Sequence, residues 1–259
     1  MKRAASLIRG LLFPPKCVCC RELMPYDTVL PLCKTCAGEW EKETLEPCGF
    51  CQRPVSECFC ATPRMRRAGV STLFKLAYYR AGKKSCPDRI LFRMKESGAR
   101  PLYSFAAKPL AKKILPYLLE KKIPLEDCIL TFAPRHQRAF FRAGVDQAEL
   151  LSKELSRELG IKQSALLERN PIKNKVQKRL NASERQKNAE AAFSIKEGLD
   201  LSGKTILLVD DTVTTGATMG VSAKLFKEAG AARVLGVAFT LDEIGRFPKE
   251  APVSTRPYF

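Results

Sequence analysis

Eight cysteines stand in four close pairs: Cys17-x-x-Cys20, Cys33-x-x-Cys36, Cys48-x-x-Cys51 and Cys58-x-Cys60. A spacer of two residues lets a tight knuckle aim both thiolates at one tetrahedral ion, and two knuckles complete a four-cysteine site. Redox proteins also use a single such pair, but four in succession point to two zinc ions in closed, structural sites. Short loops favour Cys17, Cys20, Cys33 and Cys36 as one site and Cys48, Cys51, Cys58 and Cys60 as the other. An interleaved cross-brace is the alternative pairing. Cys19 is left over and could substitute as a ligand, whereas Cys86 and Cys128 read as plain buried residues. The total of 11 cysteines is odd. Without a secretory signal, that argues against a disulfide framework and for metal ligation in a reducing cytoplasm.

A second constellation is Ile206-Leu-Leu-Val-Asp-Asp-Thr-Val-Thr-Thr-Gly-Ala-Thr-Met219. An apolar strand delivers two adjacent carboxylates, Asp210 and Asp211, to the edge where open α/β sheets bind ligands. Thr212, Thr214, Thr215, Gly216, Ala217 and Thr218 then make a hydroxyl-rich loop that opens a helix. Unpaired N–H groups at a helix N-terminus cradle a monophosphate, and glycine at position 216 lets backbone approach it closely. Carboxylates beside a phosphate site make sense when the ligand carries a diol between them. A ribose 5-phosphate satisfies both: the acids accept from its hydroxyls while the loop holds its phosphate.

The elements that must carry these groups alternate between strand and helix. Val70–Tyr79 is β-branched and aromatic and predicts a strand, and Pro87–Lys95 and Ser104–Leu119 have helical spacing. Cys128–Ala133 predicts a buried strand, Gln147–Leu159 a helix stopped by Gly160, and Lys204–Asp210 the strand before the acidic pair. A helix over Ala217–Ala229 ends at Gly230, and Arg233–Thr240 is a last strand. This order reads as an open, mostly parallel α/β sheet. Ahead of it, residues 1–62 are rich in cysteine and proline and leave little room for an ordinary core, so metal must supply stability. The expected division is a zinc module over 1–62 and an α/β domain over 69–259, joined near 61–69.

Composition narrows the partners. The 259 residues are 45% hydrophobic and 28% charged, which excludes a wholly disordered chain. No apolar run reaches the ~18 residues of a membrane span. Met1–Phe13 has a basic start but is interrupted by Arg9, so it reads as a short amphipathic helix rather than a signal peptide. The formal net charge of +18 calls for an anionic partner or a lysine-rich solvated surface. The basic tract Lys173–Lys187 fits a mobile loop, a lid over a ligand or a surface for a nucleic-acid strand.

The acidic–threonine segment resembles the 5-phosphoribosyl 1-diphosphate (PRPP) motif of type I phosphoribosyltransferases. Four cysteine pairs ahead of such a domain resemble the ComF family, the amidophosphoribosyltransferase-like competence proteins. The spaced set Gln177, Leu180, Arg185, Asn188 and Phe193 matches that family's pattern before the PRPP motif, and Leu91-Phe-Arg-Met-Lys95 with Gly98 resembles its basic Lys-Phe segment. Where the family shows Arg-Gly-Phe-Asn-Gln, this chain departs with Ala143-Gly-Val-Asp-Gln147.

The resemblance implies a type I phosphoribosyltransferase-like sheet behind a double zinc ribbon. It implies PRPP and Mg²⁺ as ligands, with Asp210 and Asp211 in the catalytic position and Thr212–Thr218 on the phosphate. Arg135 and Arg138, beside the lone His136, correspond to the pyrophosphate loop, and Gln177, Arg185 and Asn188 to a flexible loop. The chemistry would be loss of pyrophosphate from the ribose and attack by a nitrogen nucleophile. The family name implies instead, or in addition, a DNA-uptake factor that contacts single-stranded DNA or a helicase.

Overall fold

The computed structural model describes residues 14–25, 31–80, 82, 84–134, 144–170 and 192–242. The expected helix at Met1–Phe13, the residues Arg135, His136 and Arg138, and the tract Lys173–Lys187 with Asn188 lie outside them.

The sheet that positions the site is parallel throughout. β1 (Leu73–Phe74) and β2 (Ala77–Tyr79) both pair with β7 (Arg233–Asp242), β7 pairs with β6 (Thr205–Val213), and β6 pairs with β3 (Cys128–Phe132). The strand expected over Val70–Tyr79 is therefore two short strands in one line, broken at Lys75–Leu76. Lys75 causes the interruption: its side chain is completely buried and leaves the strand pattern for the cysteine-rich segment. Leu76 keeps the line, donating its N–H to Phe239 O at 3.1 Å. A separate antiparallel pair, β4 (Leu167–Arg169) with β5 (Phe193–Ile195), brackets residues 171–191.

Six helices are described. α1 (Lys34–Thr44) starts within the second cysteine pair, with Cys33 as its N-cap and Cys36 in its first turn, and α2 (Pro63–Arg67) follows the last pair. α3 (Cys86–Glu96) starts at a capping box in which Asp88 accepts from the Ser85 N–H and hydroxyl. α4 (Arg100–Glu120) is longer than its sequence pattern and tolerates Pro109 and Pro116 inside it. Each proline removes a backbone hydrogen bond; burial of Leu102, Tyr103, Ala106, Leu110, Ile114 and Leu118 compensates. α5 (Gln147–Leu159) is capped by Asp146 and ends at Gly160, whose φ of 70° suits glycine. α6 (Ala217–Glu228) follows β6.

The period-2 alternation of β6 divides the core between the two sheet faces. Leu207 and Val209 pack with α3, α4 and α5, whereas Ile206 and Leu208 pack with Met65 of α2 and Phe226 of α6. Cys17, Val18, Cys36 and Leu32 belong to the first cluster and Val55 and Ala61 to the second. The cysteine-rich segment thus shares its apolar contacts with the sheet layers. No described helix is long and apolar enough to cross a membrane.

Candidate PRPP site and metal centres

β6 runs three residues past Asp210 and stays paired with β7 to the Val213–Leu241 register, so both carboxylates belong to the strand. Asp210 Oδ1 accepts from the Asp211 N–H at 2.8 Å, and Asp211 Oδ1 accepts from the Thr212 N–H at 2.7 Å. Asp211 is buried, while Asp210 keeps part of its surface open to solvent. Burial nonetheless pushes the Asp210 carboxyl well above the usual range, and the neighbouring Asp211 and more distant Asp146 add to the rise. Such an acid pair is stabilised by hydroxyl donors or by a cation, which is what a sugar diol or Mg²⁺ offers. Thr212 turns its hydroxyl sideways to Thr240, 3.0 Å away on β7.

The chain then turns through exposed Thr214 and Thr215 into Gly216, the left-handed N-cap of α6 at φ 79°. Ala217 and Thr218, half-buried, supply the first helical N–H groups, which have no partner within the helix. The need for glycine at 216 has a cause the sequence reading did not contain. A Cβ there would stand 2.4 Å from Thr62 Oγ1 and 2.5 Å from Met65 Cγ, so the missing side chain makes room for α2 as well as for the turn.

The cysteines form two quartets. The Sγ atoms of Cys17, Cys20, Cys33 and Cys36 all lie within 4.8 Å of one another, and so do those of Cys48, Cys51, Cys58 and Cys60. Zn–S bonds of about 2.3 Å in a tetrahedron put sulfurs ~3.8 Å apart, so either quartet fits one ion with small adjustment. Cys19 stands outside both. Its Sγ faces the Cys86 carbonyl at 3.8 Å and receives Arg89 Nε at 3.1 Å. Hydrogen bonding with Cys86, reinforced by Arg89, draws its thiol down to about 6.

Two lysines reach the second quartet, and the sequence reading singled out neither. Lys75 Nζ donates to Cys58 Sγ at 3.2 Å and to the Cys58 and Cys60 carbonyls at 3.3 and 3.0 Å. Lys113 Nζ, from α4, donates to Cys58 O at 2.8 Å and to Lys75 O at 3.0 Å. Burial pushes the Lys113 ammonium down to about 7, with Lys75 contributing; the Cys58 and Cys48 thiolates oppose that shift. Four thiolates around a divalent ion would carry a net charge of −2, which positive groups at this distance would offset. The available signal was a lone lysine inside the apolar run Val70–Tyr79.

Leu91–Lys95 falls on α3 beside a cleft of about 410 Å³ that is also lined by Tyr79 and Cys19. Phe92 is 62% exposed there, and the Lys95 ammonium sits 5.7 Å from the centre of the Tyr79 ring.

A parallel sheet with an acid pair near the C-terminal end of one strand and a glycine turn opening the next helix is an open α/β arrangement of the kind the acidic–threonine motif leads one to expect. The phosphoribosyl transferase domain model matches residues 143–256. The chain is 30% identical over 145 residues to "DNA utilization protein YhgH" of Escherichia coli O6:H1, covering 56% of this chain and 63% of that protein. It is 32% identical over 110 residues to "Competence protein F" of Haemophilus influenzae, covering 42% and 48%. These alignments span less than two thirds of either relative. Among solved structures, a Trypanosoma cruzi hypoxanthine phosphoribosyl transferase superposes with a TM-score of 0.39 at 15% identity, covering 60% of this chain and 71% of that one. The chain thus carries a match to the phosphoribosyl transferase domain and is similar to proteins named for DNA utilization and competence.

Proposed function

We propose that this chain binds PRPP with Mg²⁺ as a phosphoribosyltransferase-like protein whose ribosyl acceptor is a nitrogen nucleophile. The observation that carries the reading is the acid pair on β6 leading directly into the Gly216 turn and α6. Asp210 and Asp211 accept from the two ribose hydroxyls, and a charged acceptor makes each such bond about twice as strong as a neutral one. Thr214, Thr215 and Thr218 hydroxyls with the N–H groups of Ala217 and Thr218 hold the 5′-phosphate. When bound, Mg²⁺ neutralises charge on the diphosphate leaving group. Arg135 and Arg138 are assigned to the diphosphate. Gln177, Arg185 and Asn188, in the segment bracketed by β4 and β5, are assigned to a covering loop. Two structural zinc ions occupy the quartets, and the cysteine-rich module over 1–62 serves the domain from residue 69 onward.

Calorimetry with PRPP and Mg²⁺ tests this. Replacing both acids, Asp210→Asn with Asp211→Asn, keeps their shape and lowers affinity by at least ~2 kcal/mol, given ~1.5–3 kcal/mol for a hydrogen bond to a charged group. Absence of PRPP binding by the unaltered protein overturns the reading.

A second reading is favoured by the net charge of +18 and by the DNA-utilization and competence names of the relatives. In it the protein contacts single-stranded DNA or a helicase partner through Lys173–Lys187, with PRPP as a regulatory ligand. Affinity for DNA then falls steeply with salt, and reversing Lys173, Lys175, Lys178 and Arg179 to glutamate flattens the slope. An unchanged slope assigns the tract to the covering loop instead.

A further inference from the structure

The last cysteine pair and the phosphate loop are far apart in sequence and adjacent in space. Cys58, Phe59 and Cys60 are stitched to the sheet edge. Phe59 O accepts from the Leu73 N–H at 2.9 Å, Cys60 bridges to Thr72, and Thr72 O in turn accepts from the Gly236 N–H of β7 at 2.9 Å. The Phe59 ring packs against Phe74 and Tyr117, with centroids 5.5 and 5.3 Å away. Lys75 and Lys113 add their hydrogen bonds to Cys58 and Cys60 from the core side.

Two residues beyond Cys60, Thr62 caps α2 and uses its hydroxyl twice. It accepts from the Met65 N–H at 3.3 Å and donates to the Thr215 carbonyl at 3.0 Å. Thr62 is 1% exposed, and Thr215 is the residue before the Gly216 turn. Nothing slack separates the metal quartet from the loop: Cys60, Ala61 and Thr62 are consecutive, and Thr62 with Met65 fills the space over Gly216.

We propose that the second cysteine centre, when it holds its metal, positions the PRPP phosphate loop through Thr62. Thr62 is thereby a positioning residue, and metal occupancy at Cys48, Cys51, Cys58 and Cys60 regulates affinity for the phosphoribosyl ligand. This rests on the PRPP reading above. The metal fixes the Cys58–Cys60 turn, that turn fixes the Thr62 hydroxyl, and the hydroxyl holds Thr215 O so that the N–H groups after Gly216 face the phosphate. Loss of the metal frees the turn and the carbonyl with it. The first quartet has no such path: among the described residues its contacts run to α1 and α3. Because coupling between two binding sites is reciprocal, PRPP must tighten the second centre by the factor with which the metal tightens PRPP.

The experiment measures that factor from both sides. In full-length Cys20→Ser, which keeps only the second quartet intact, zinc affinity is measured at equilibrium against a zinc-selective chelator, with and without saturating PRPP and Mg²⁺. Calorimetry then gives PRPP affinity for zinc-loaded and zinc-depleted protein. The expected change is about fivefold or more and equal in the two directions. Thr62→Val weakens PRPP binding by a similar factor with its zinc content retained, and Thr62→Ser, which keeps the hydroxyl, restores it. If PRPP binds but leaves zinc affinity unchanged, or if Thr62→Val binds PRPP as the unaltered protein does, the coupling is overturned while PRPP binding stands. Failure of the unaltered protein to bind PRPP removes both.

Discussion

The two cysteine quartets are chemically alike and differently embedded. The first is mounted on helices. Arg93 of α3 donates to the Cys17 and Val18 carbonyls, Arg89 donates to Glu39 of α1, and Trp40 of α1 stacks on Phe239 with ring centroids 5.8 Å apart. Cys20 remains exposed. The second quartet is built into the sheet edge, with two lysines against its sulfur and carbonyls and Thr62, which donates to the Thr215 carbonyl, two residues beyond its last cysteine. One centre is held against the core by helices; the other is tied to the backbone of the sheet edge. Equal ligand sets therefore do not imply equal roles.

The largest effect should separate them. With zinc in both quartets, as proposed, Cys58→Ser lowers the metal content by one ion and takes away the sulfur that accepts from Lys75, costing on the order of 5 kcal/mol. Cys20→Ser also removes one ion but costs less than half as much. Metal analysis and urea unfolding of the two variants check this, and equal losses of stability would erase the distinction.

Next comes Lys75→Met. In zinc-loaded protein it leaves a buried negative centre without its nearest positive group and destabilises by about 3 kcal/mol. In zinc-depleted protein it removes a buried ammonium and is neutral or stabilising. A reversal of sign with metal, read by denaturant unfolding, is the expected result.

Asp210→Asn sharpens the comparison at the ligand end. A carboxyl whose folded pKa is raised leaves stability intact below its unfolded pKa, and that stability is lost as pH rises toward the folded value. Ligand-free Asp210→Asn protein is therefore more stable than the original at pH 7, with no difference at pH 3, while its PRPP binding is weaker. Thermal unfolding at both pH values checks the sign.

The smallest effect concerns the first module alone. Gly38 lies in α1, is exposed, and has open space where a Cβ would stand. Gly38→Ala should stabilise by about 0.5–1 kcal/mol and leave PRPP affinity unchanged. A change in PRPP affinity would show that the first module also reaches the site.

Much of this molecule is written in local patterns. Gln147–Leu159 announces its helix by apolar spacing and its stop by Gly160, and both appear at those residues. The strand leading to Asp210 is equally plain, because consecutive apolar residues buried on both faces have few alternatives. The strand over Val70–Tyr79 is less legible. Whether one lysine in an apolar run points to solvent or into the protein depends on what lies behind it.

The two cysteine quartets, the acid pair on its strand and the glycine turn follow from the sequence alone, since each is a set of fixed residue types at fixed short spacings. Tertiary structure decided everything that joins them. Only packing brings Thr62 to Thr215, aims Lys75 and Lys113 at Cys58, and makes the empty side of Gly216 a seat for α2. Those contacts link residues distant in the chain, and their hydrogen bonds and close approaches leave no spacing rule behind: a threonine after a cysteine pair is ordinary until the sheet closes over it.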